Sequence, residues 1–166
     1  LQSALDQATQ ANGGIILLEP GLHRTRSLEL KSHTTLYLKT GAVLQGTGLP
    51  DDYVTRLGRR ALILVNRASN SAILGGGVID GMGHVLQKQH QTKAHLIDAI
   101  QCENLTLKGL VLRDPGAWTV HLIGCRNVTV SHVKIMGDWA LSNTDGIDPD
   151  MSRDVTIEDC FIYSGD

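Results

Sequence analysis

Three carboxylates fall within six positions of the stretch Asn143-Thr144-Asp145-Gly146-Ile147-Asp148-Pro149-Asp150. Like charges that close repel inside a core, so the stretch is either a solvated acidic loop or a site that uses perturbed carboxyl groups. A site of that kind would do general acid and base work, one carboxyl holding a proton while its neighbour takes one. A further carboxylate, Asp166 in Ser164-Gly165-Asp166, follows 21 residues after Asp145.

The frame that must position these groups is an internal repeat. Asn70, Asn104, Asn127 and Asp154 align as one position, at spacings of 34, 23 and 27 residues. Next to it come Leu105, Val128 and Val155, then Thr106, Thr129 and Thr156, then Leu107, Val130 and Ile157. Leu110, Val133 and Cys160, followed by Leu112, Ile135 and Ile162, continue the register. The segment from Asn70 joins in part, through Ile73 and Val78. A fixed register with unequal insertions is what a solenoid tolerates. The unit holds two or three short strands and no run of helical length. The pattern therefore predicts an all-β fold, a parallel β-helix, with like residues stacked about 4.8 Å apart. Leu107, Val130 and Ile157 should face inward and the threonines outward. A β-propeller is the rival, but its blades run nearer about 40 residues and carry aromatic signatures. Aromatic residues make up 4% of this chain.

Ahead of the repeat, Leu1 to Asn12 reads as an amphipathic helix stopped by Gly13-Gly14. A single short helix before many strands is expected to cover the open end of the stack. Residues 46 to 61 read as a polar excursion. Arg56, Arg59 and Arg60 within it form either an anionic-ligand patch or a solvated loop.

Run backwards, the same register aligns His95, Trp118 and Asp145, and beside them Asp98, His121 and Asp148. Both columns should share one outward face, a groove able to hold a polar ligand and to stack a ring on Trp118. Trp118 packing on its own coil and His121 bonding a backbone carbonyl are the alternatives. His84, His90 and His95 lie in or near a polar loop and are assigned no role. No metal site is expected, since His121 and Asp148 lack a third ligand at metal-binding spacing. Asp148 and Asp150 read as turn and coil residues whose side chains satisfy backbone donors. Cys102 and Cys125 share a register and could approach as a disulfide or sit as small ladder residues in a coil corner, while Cys160 reads as core. Two glycosylation sequons, at Asn104 and Asn127, are explained by the repeat itself.

The chain has 166 residues, enough for one domain with a sizeable core, and a net charge of -2. No basic face points to nucleic acid, and no apolar run approaches membrane-spanning length. No signal peptide is visible.

The chain resembles glycoside hydrolase family 28, the polygalacturonase family of pectin-degrading enzymes. Four stretches carry the resemblance. They are Glu29-Leu30-Lys31-Ser32 with Thr35-Leu36-Tyr37-Leu38, Gly75-Gly76-Gly77-Val78-Ile79-Asp80-Gly81, Trp118-Thr119-Val120-His121, and above all Asn143-Thr144-Asp145-Gly146-Ile147-Asp148. Ser164-Gly165-Asp166 fits the start of the family's Gly-Asp-Asp motif. The resemblance implies a right-handed parallel β-helix (a pectin-lyase-like solenoid with an N-terminal capping helix) and hydrolysis of α-1,4-galacturonosidic bonds with inversion, without a cofactor. It implies Asp166 as general acid and Asp145 as sharing the activation of water. Asn143 and His121 are candidates for contacts to sugar hydroxyls or carboxylate. The implied partner is a pectic polysaccharide, the implied location secreted or periplasmic, and a monomer is expected. The second Asp of the pair and the family's later Gly-His-Gly and Arg-Ile-Lys motifs are not in this sequence. Residues 1 to 166 therefore read as one β-helix domain, the N-terminal half of a catalytic domain. The chemistry fits independently, because Asp145 and Asp166, about one coil apart, should lie on adjacent coils of one face. A pectate-type lyase on the same fold is one alternative. A glycan-binding solenoid of the tailspike or adhesin kind, without activity, is the other.

Overall fold

Short aliphatic runs are interrupted at regular intervals by residues that accept a left-handed backbone, and at each the chain turns a corner. The computed structural model describes residues 1–165, which wind into a parallel β-helix. Asn70, Asn104, Asn127 and Asp154 all have φ between 54 and 56°. Asn and Asp are enriched in that region, where a β-branched residue would be strained. Their side chains also join. The Asn104 amide donates to Asn70 Oδ1 at 2.8 Å, and the Asn127 amide to Asn104 Oδ1 at 2.7 Å.

Among the described residues the strands stack into three sheets, parallel throughout except for one short antiparallel strand on the third. The first holds Gly14–Leu18, Thr34–Leu38, Ser69–Gly75, Glu103–Lys108, Arg126–Ser131 and Arg153–Glu158. The second holds Gly21–Thr25, Ala42–Gly46, Val78–Asp80, Val111–Arg113, Lys134–Met136 and Phe161–Tyr163. The third holds Leu28–Leu30, Arg59–Asn66, His95–Ile100, Val120–Ile123 and Ile147–Asp150. Most of the expected columns are present: Thr106 pairs with Thr129 and Thr129 with Thr156, and beside them Leu107, Val130 and Ile157 align. The place of Val78 is corrected by one residue: Ile79 pairs with Leu112 and so joins the column of Ile135 and Ile162, while Val78 pairs with Val111, because the Gly75-Gly76-Gly77 corner is one residue longer than the register predicts. Leu107 and Val130 are fully buried, whereas Ile157, in the last described coil, is 43% exposed. Each such aliphatic side chain, when buried, contributes about 1.5–3 kcal/mol, which is how the coils hold together. Gly75, at φ 120°, packs so tightly that a Cβ would lie 2.0 Å from the Leu38 carbonyl oxygen.

The helix spans Gln2–Gln10, shorter at both ends than the expected Leu1 to Asn12. Asn12 at φ 63° and Gly13 at φ 128° end it. It lies over the first coil, with Leu5 inside the core. Gln2 acts as a strand substitute, accepting from the Glu29 N–H at 2.8 Å and donating to its carbonyl at 3.2 Å. The edge of the third sheet is thereby satisfied.

The excursion over residues 46 to 61 is more ordered than its composition suggests. Val54–Arg56 pairs antiparallel with the start of Arg59–Asn66. Tyr53 anchors this hairpin in the core. Its hydroxyl donates to the Gly81 carbonyl at 3.1 Å and accepts from the Gly48 N–H at 3.2 Å. Burial pushes this phenol up to about 12. No helix among the described residues is long and apolar enough to cross a membrane.

Candidate active site

Along each strand of the third sheet, core residues alternate with residues that point outward. Leu64, Asp98, His121 and Asp148 are consecutive in register on that outward face. The ladder reaches back toward the N-terminal ends of these strands: the Leu96 N–H donates to the Trp118 carbonyl at 3.2 Å, and the Thr119 N–H to the Asp145 carbonyl at 2.8 Å. His95, Trp118 and Asp145 therefore arrive together beside the first column. The His95 ring lies 5.3 Å from both Trp118 and His121, and Trp118 meets His121 edge-on at 4.6 Å. Trp118 and His121 are thus packed on each other across this face, with His121 2% exposed.

Asp98 is fully buried although it lies on the outer face. Its Oδ1 is 3.1 Å from His121 Nδ1, and its Oδ2 is 3.6 Å from Arg59 Nε. Neither contact is aligned as a hydrogen bond. Buried side-chain atoms without a hydrogen-bond partner concentrate here: Arg59 Nε and Nη2, His95 Nδ1, both oxygens of Asp98, both nitrogens of His121, Asp145 Oδ1 and Asp148 Oδ2. Among the described residues, only Ser71 and Thr119 contribute further atoms of this kind. Buried polar atoms nearly always find partners, so a cluster of unpaired ones marks a surface built for a polar ligand.

The electrostatics follow from burial. His95 is pushed down to about 4, chiefly by burial and against the pull of the Asp98 charge, so it is neutral at neutral pH. Asp148 is pushed up to about 6, first by burial and then by the charge of Asp145, with His121 opposing. It holds a proton under mildly acidic conditions. The expectation that Asp148 and Asp150 are turn residues is corrected here: both lie in the strand Ile147–Asp150, where Asp148 is half-buried and faces the site while Asp150 is exposed. His95 and Arg59 are likewise part of the site instead of polar-loop residues, because the hairpin folds Arg59 over Asp98.

Asn143 has φ 55° and accepts a hydrogen bond from Lys93 Nζ, so both its backbone and its amide have a local role. Gly146 follows from close approach, since a Cβ there would lie 2.6 Å from Ile162 Cγ2. The Gly165 N–H donates to Thr144 Oγ1 at 3.3 Å. The residue preceding Asp166 is thus joined to the residue preceding Asp145, while Asp166 itself lies outside the described residues. An open cleft of about 330 Å³ is lined by Arg59, Arg60, Lys93, His95, Trp118 and Asn143. Trp118 separates it from a second of about 300 Å³ that includes Asp148 and Asp150. Cys102 and Cys125 are adjacent, buried free thiols, the Cys102 N–H donating to Cys125 Sγ at 3.4 Å.

The model of glycosyl hydrolases family 28 matches residues 21–166. A probable polygalacturonase of Vitis vinifera is 30% identical over 185 residues, an alignment covering 99% of this chain and 38% of that protein. Polygalacturonase from Erwinia carotovora ssp. carotovora superposes with a TM-score of 0.86 at 25% identity, covering 99% of this chain and 51% of that one. An exopolygalacturonase from Thermotoga maritima also gives 0.86, at 21% identity, over 98% of this chain and 48% of that one. The chain therefore spans well under half the length of the Vitis protein and about half of the two solved structures.

Proposed function

Because the chain belongs to glycosyl hydrolase family 28, we propose that it serves the hydrolysis of pectic polysaccharide, at α-1,4-galacturonosidic bonds and with inversion. The observation that carries this reading is the cluster of unpaired, buried acid, base and cation groups on one outward face of the solenoid. Inverting hydrolysis needs a protonated carboxyl to protonate the leaving oxygen and an ionised one to activate water on the opposite face of the sugar. Asp145 is proposed to activate water and Asp166 to be the general acid. Support comes from the hydrogen bond of the Gly165 N–H to Thr144 Oγ1, which joins the residues that precede the two in sequence. Asp148, raised to about 6 beside Asp145, is proposed to take up the proton that two close carboxylates cannot both lose. Asn143 is exposed and is proposed to meet the sugar. His121, buried beneath Trp118, is proposed to act through Asp148, its strand neighbour. Action as a monomer outside the cytoplasm belongs to the same proposal.

The test is release of reducing ends from polygalacturonate by the protein of the complete reading frame. Saturated product ends support hydrolysis, and unsaturated ends would show a lyase. Binding of the polysaccharide without any new ends would leave a glycan-binding solenoid in place of an enzyme.

A further inference from the structure

We propose that the cleft beside Asp145 is a subsite for the carboxylate of a uronic acid residue, held by Arg59, Arg60 and Lys93. The identity of the sugar rests on the hydrolytic reading above. The site itself rests on how these cations are placed.

Two separate elements supply the charge. Arg59 and Arg60 open the strand Arg59–Asn66 at the base of the hairpin, and Lys93 comes from the segment leading into His95–Ile100. They converge on one cleft of about 330 Å³, a small-ligand volume, with the half-buried Trp118 as part of its wall. No carboxylate lines this cleft, although the chain as a whole carries a net charge of -2. Bringing three cations together is unfavourable unless something neutralises them. Asp98 pairs with Arg59 at 3.6 Å, although Nε and Nη2 of that guanidinium are buried without a hydrogen-bond partner. Arg60 and Lys93 are left facing a cleft that no carboxylate lines. The side chain of Lys93 bonds a neutral amide, that of Asn143. Arg60 pairs through its backbone with Thr55 and stands at the cleft wall.

A carboxylate fits this arrangement chemically. A guanidinium presents a planar fork that can take both carboxylate oxygens, and an ammonium adds a compact second charge. The indole face of Trp118 offers an apolar wall to a sugar ring. The hydrogen bond from Lys93 to Asn143 ties the cleft to a residue two positions before Asp145. A uronate seated here lies beside Trp118, on the face that carries Asp145, without occupying the place of that carboxylate. Methyl esterification removes the charge that the cations would bind, so the subsite should favour unesterified sugar. The same cations would also draw an anionic polymer toward the face that cuts it.

The experiment is calorimetric titration of trigalacturonate into the complete protein carrying Asp145→Asn, which prevents turnover during the measurement. Adding Arg60→Gln, or separately Lys93→Gln, should weaken binding about tenfold, the effect of losing one charge-assisted hydrogen bond. Raising salt to about 1 M, where the screening length is about 3 Å, should weaken the parent and narrow the gap to both variants. The methyl-esterified trisaccharide should bind the parent and both variants alike. Folding of each variant is checked by circular dichroism. Unchanged trigalacturonate affinity in both folded variants overturns the subsite while leaving the hydrolytic reading intact. Affinity that depends on Arg60 and Lys93, in a protein whose unsubstituted form releases no reducing ends, upholds the subsite and overturns the hydrolytic reading.

Discussion

Asp145, Asp148, Asp98 and His95 sit on one face, and burial treats them differently. If Asp145 activates water, Asp145→Asn should lower turnover by about 100-fold or more, with a smaller change in KM, because proton transfer matters chiefly in the transition state. Measuring kcat and KM on polygalacturonate checks this, and unimpaired turnover would remove Asp145 from the mechanism. Asp148 gives a pH prediction. Its pKa is raised to about 6, so its favourable contribution to folding is fully present below the ordinary carboxylate range. That contribution is lost as pH rises through about 6. Asp148→Asn, which copies the protonated form, should therefore raise the melting temperature at pH 7 and leave it nearly unchanged near pH 4. His95 has the opposite sign. With its pKa depressed to about 4, it favours the fold above the ordinary histidine value, and this is lost as pH falls toward about 4. Melting temperatures measured from pH 4 to pH 8 on the two single variants, Asp148→Asn and His95→Gln, should show these opposite slopes relative to the parent.

At the scale of elements, the sequence is legible wherever one residue type recurs at one backbone conformation. The Asn70, Asn104 and Asn127 column could be read because left-handed φ and side-chain ladder both select asparagine. A second left-handed column, Arg67, Gln101, Gly124 and Met151, turns the chain just as sharply with four different residue types, and so leaves no pattern to read. The outward columns of the third sheet were legible for the same reason as the threonines: strand alternation fixes which face each residue takes. What covers that face was not. The hairpin is held by Tyr53 reaching Gly81, a contact 28 residues away with no local signal, and only through the hairpin does Arg59 reach Asp98. The Asn ladder is itself testable. Asn104→Ala loses two side-chain hydrogen bonds and places a Cβ-bearing residue without a polar side chain at φ 56°, so it should cost about 1–3 kcal/mol. Asn104→Gly keeps the backbone free of strain and should cost less. Urea unfolding of the two variants separates backbone strain from the ladder, and equal losses would show that the turn conformation does not matter.

For the molecule as a whole, the stacked topology means that each coil touches little beyond its neighbours, so stability is close to a sum of coil terms and interfaces. Damage at one end should then stay near that end. The helix Gln2–Gln10 lies against the first coil, through Leu5 in the core and Gln2 on Glu29, far along the stack from Asp145. Leu5→Ala opens a cavity beneath the helix and should cost about 2–5 kcal/mol locally. Where stability is additive along the stack, that loss appears as local opening and not as global unfolding. Hydrogen exchange should accelerate in the helix and in strands Gly14–Leu18 and Leu28–Leu30, where the helix packs. Exchange in Val120–Ile123 and kcat at 25 °C should remain those of the parent. The opposite result, equal acceleration in Val120–Ile123, would show that the coils unfold as one cooperative unit, and that the helix stabilises the face carrying His121 along with the coil it covers.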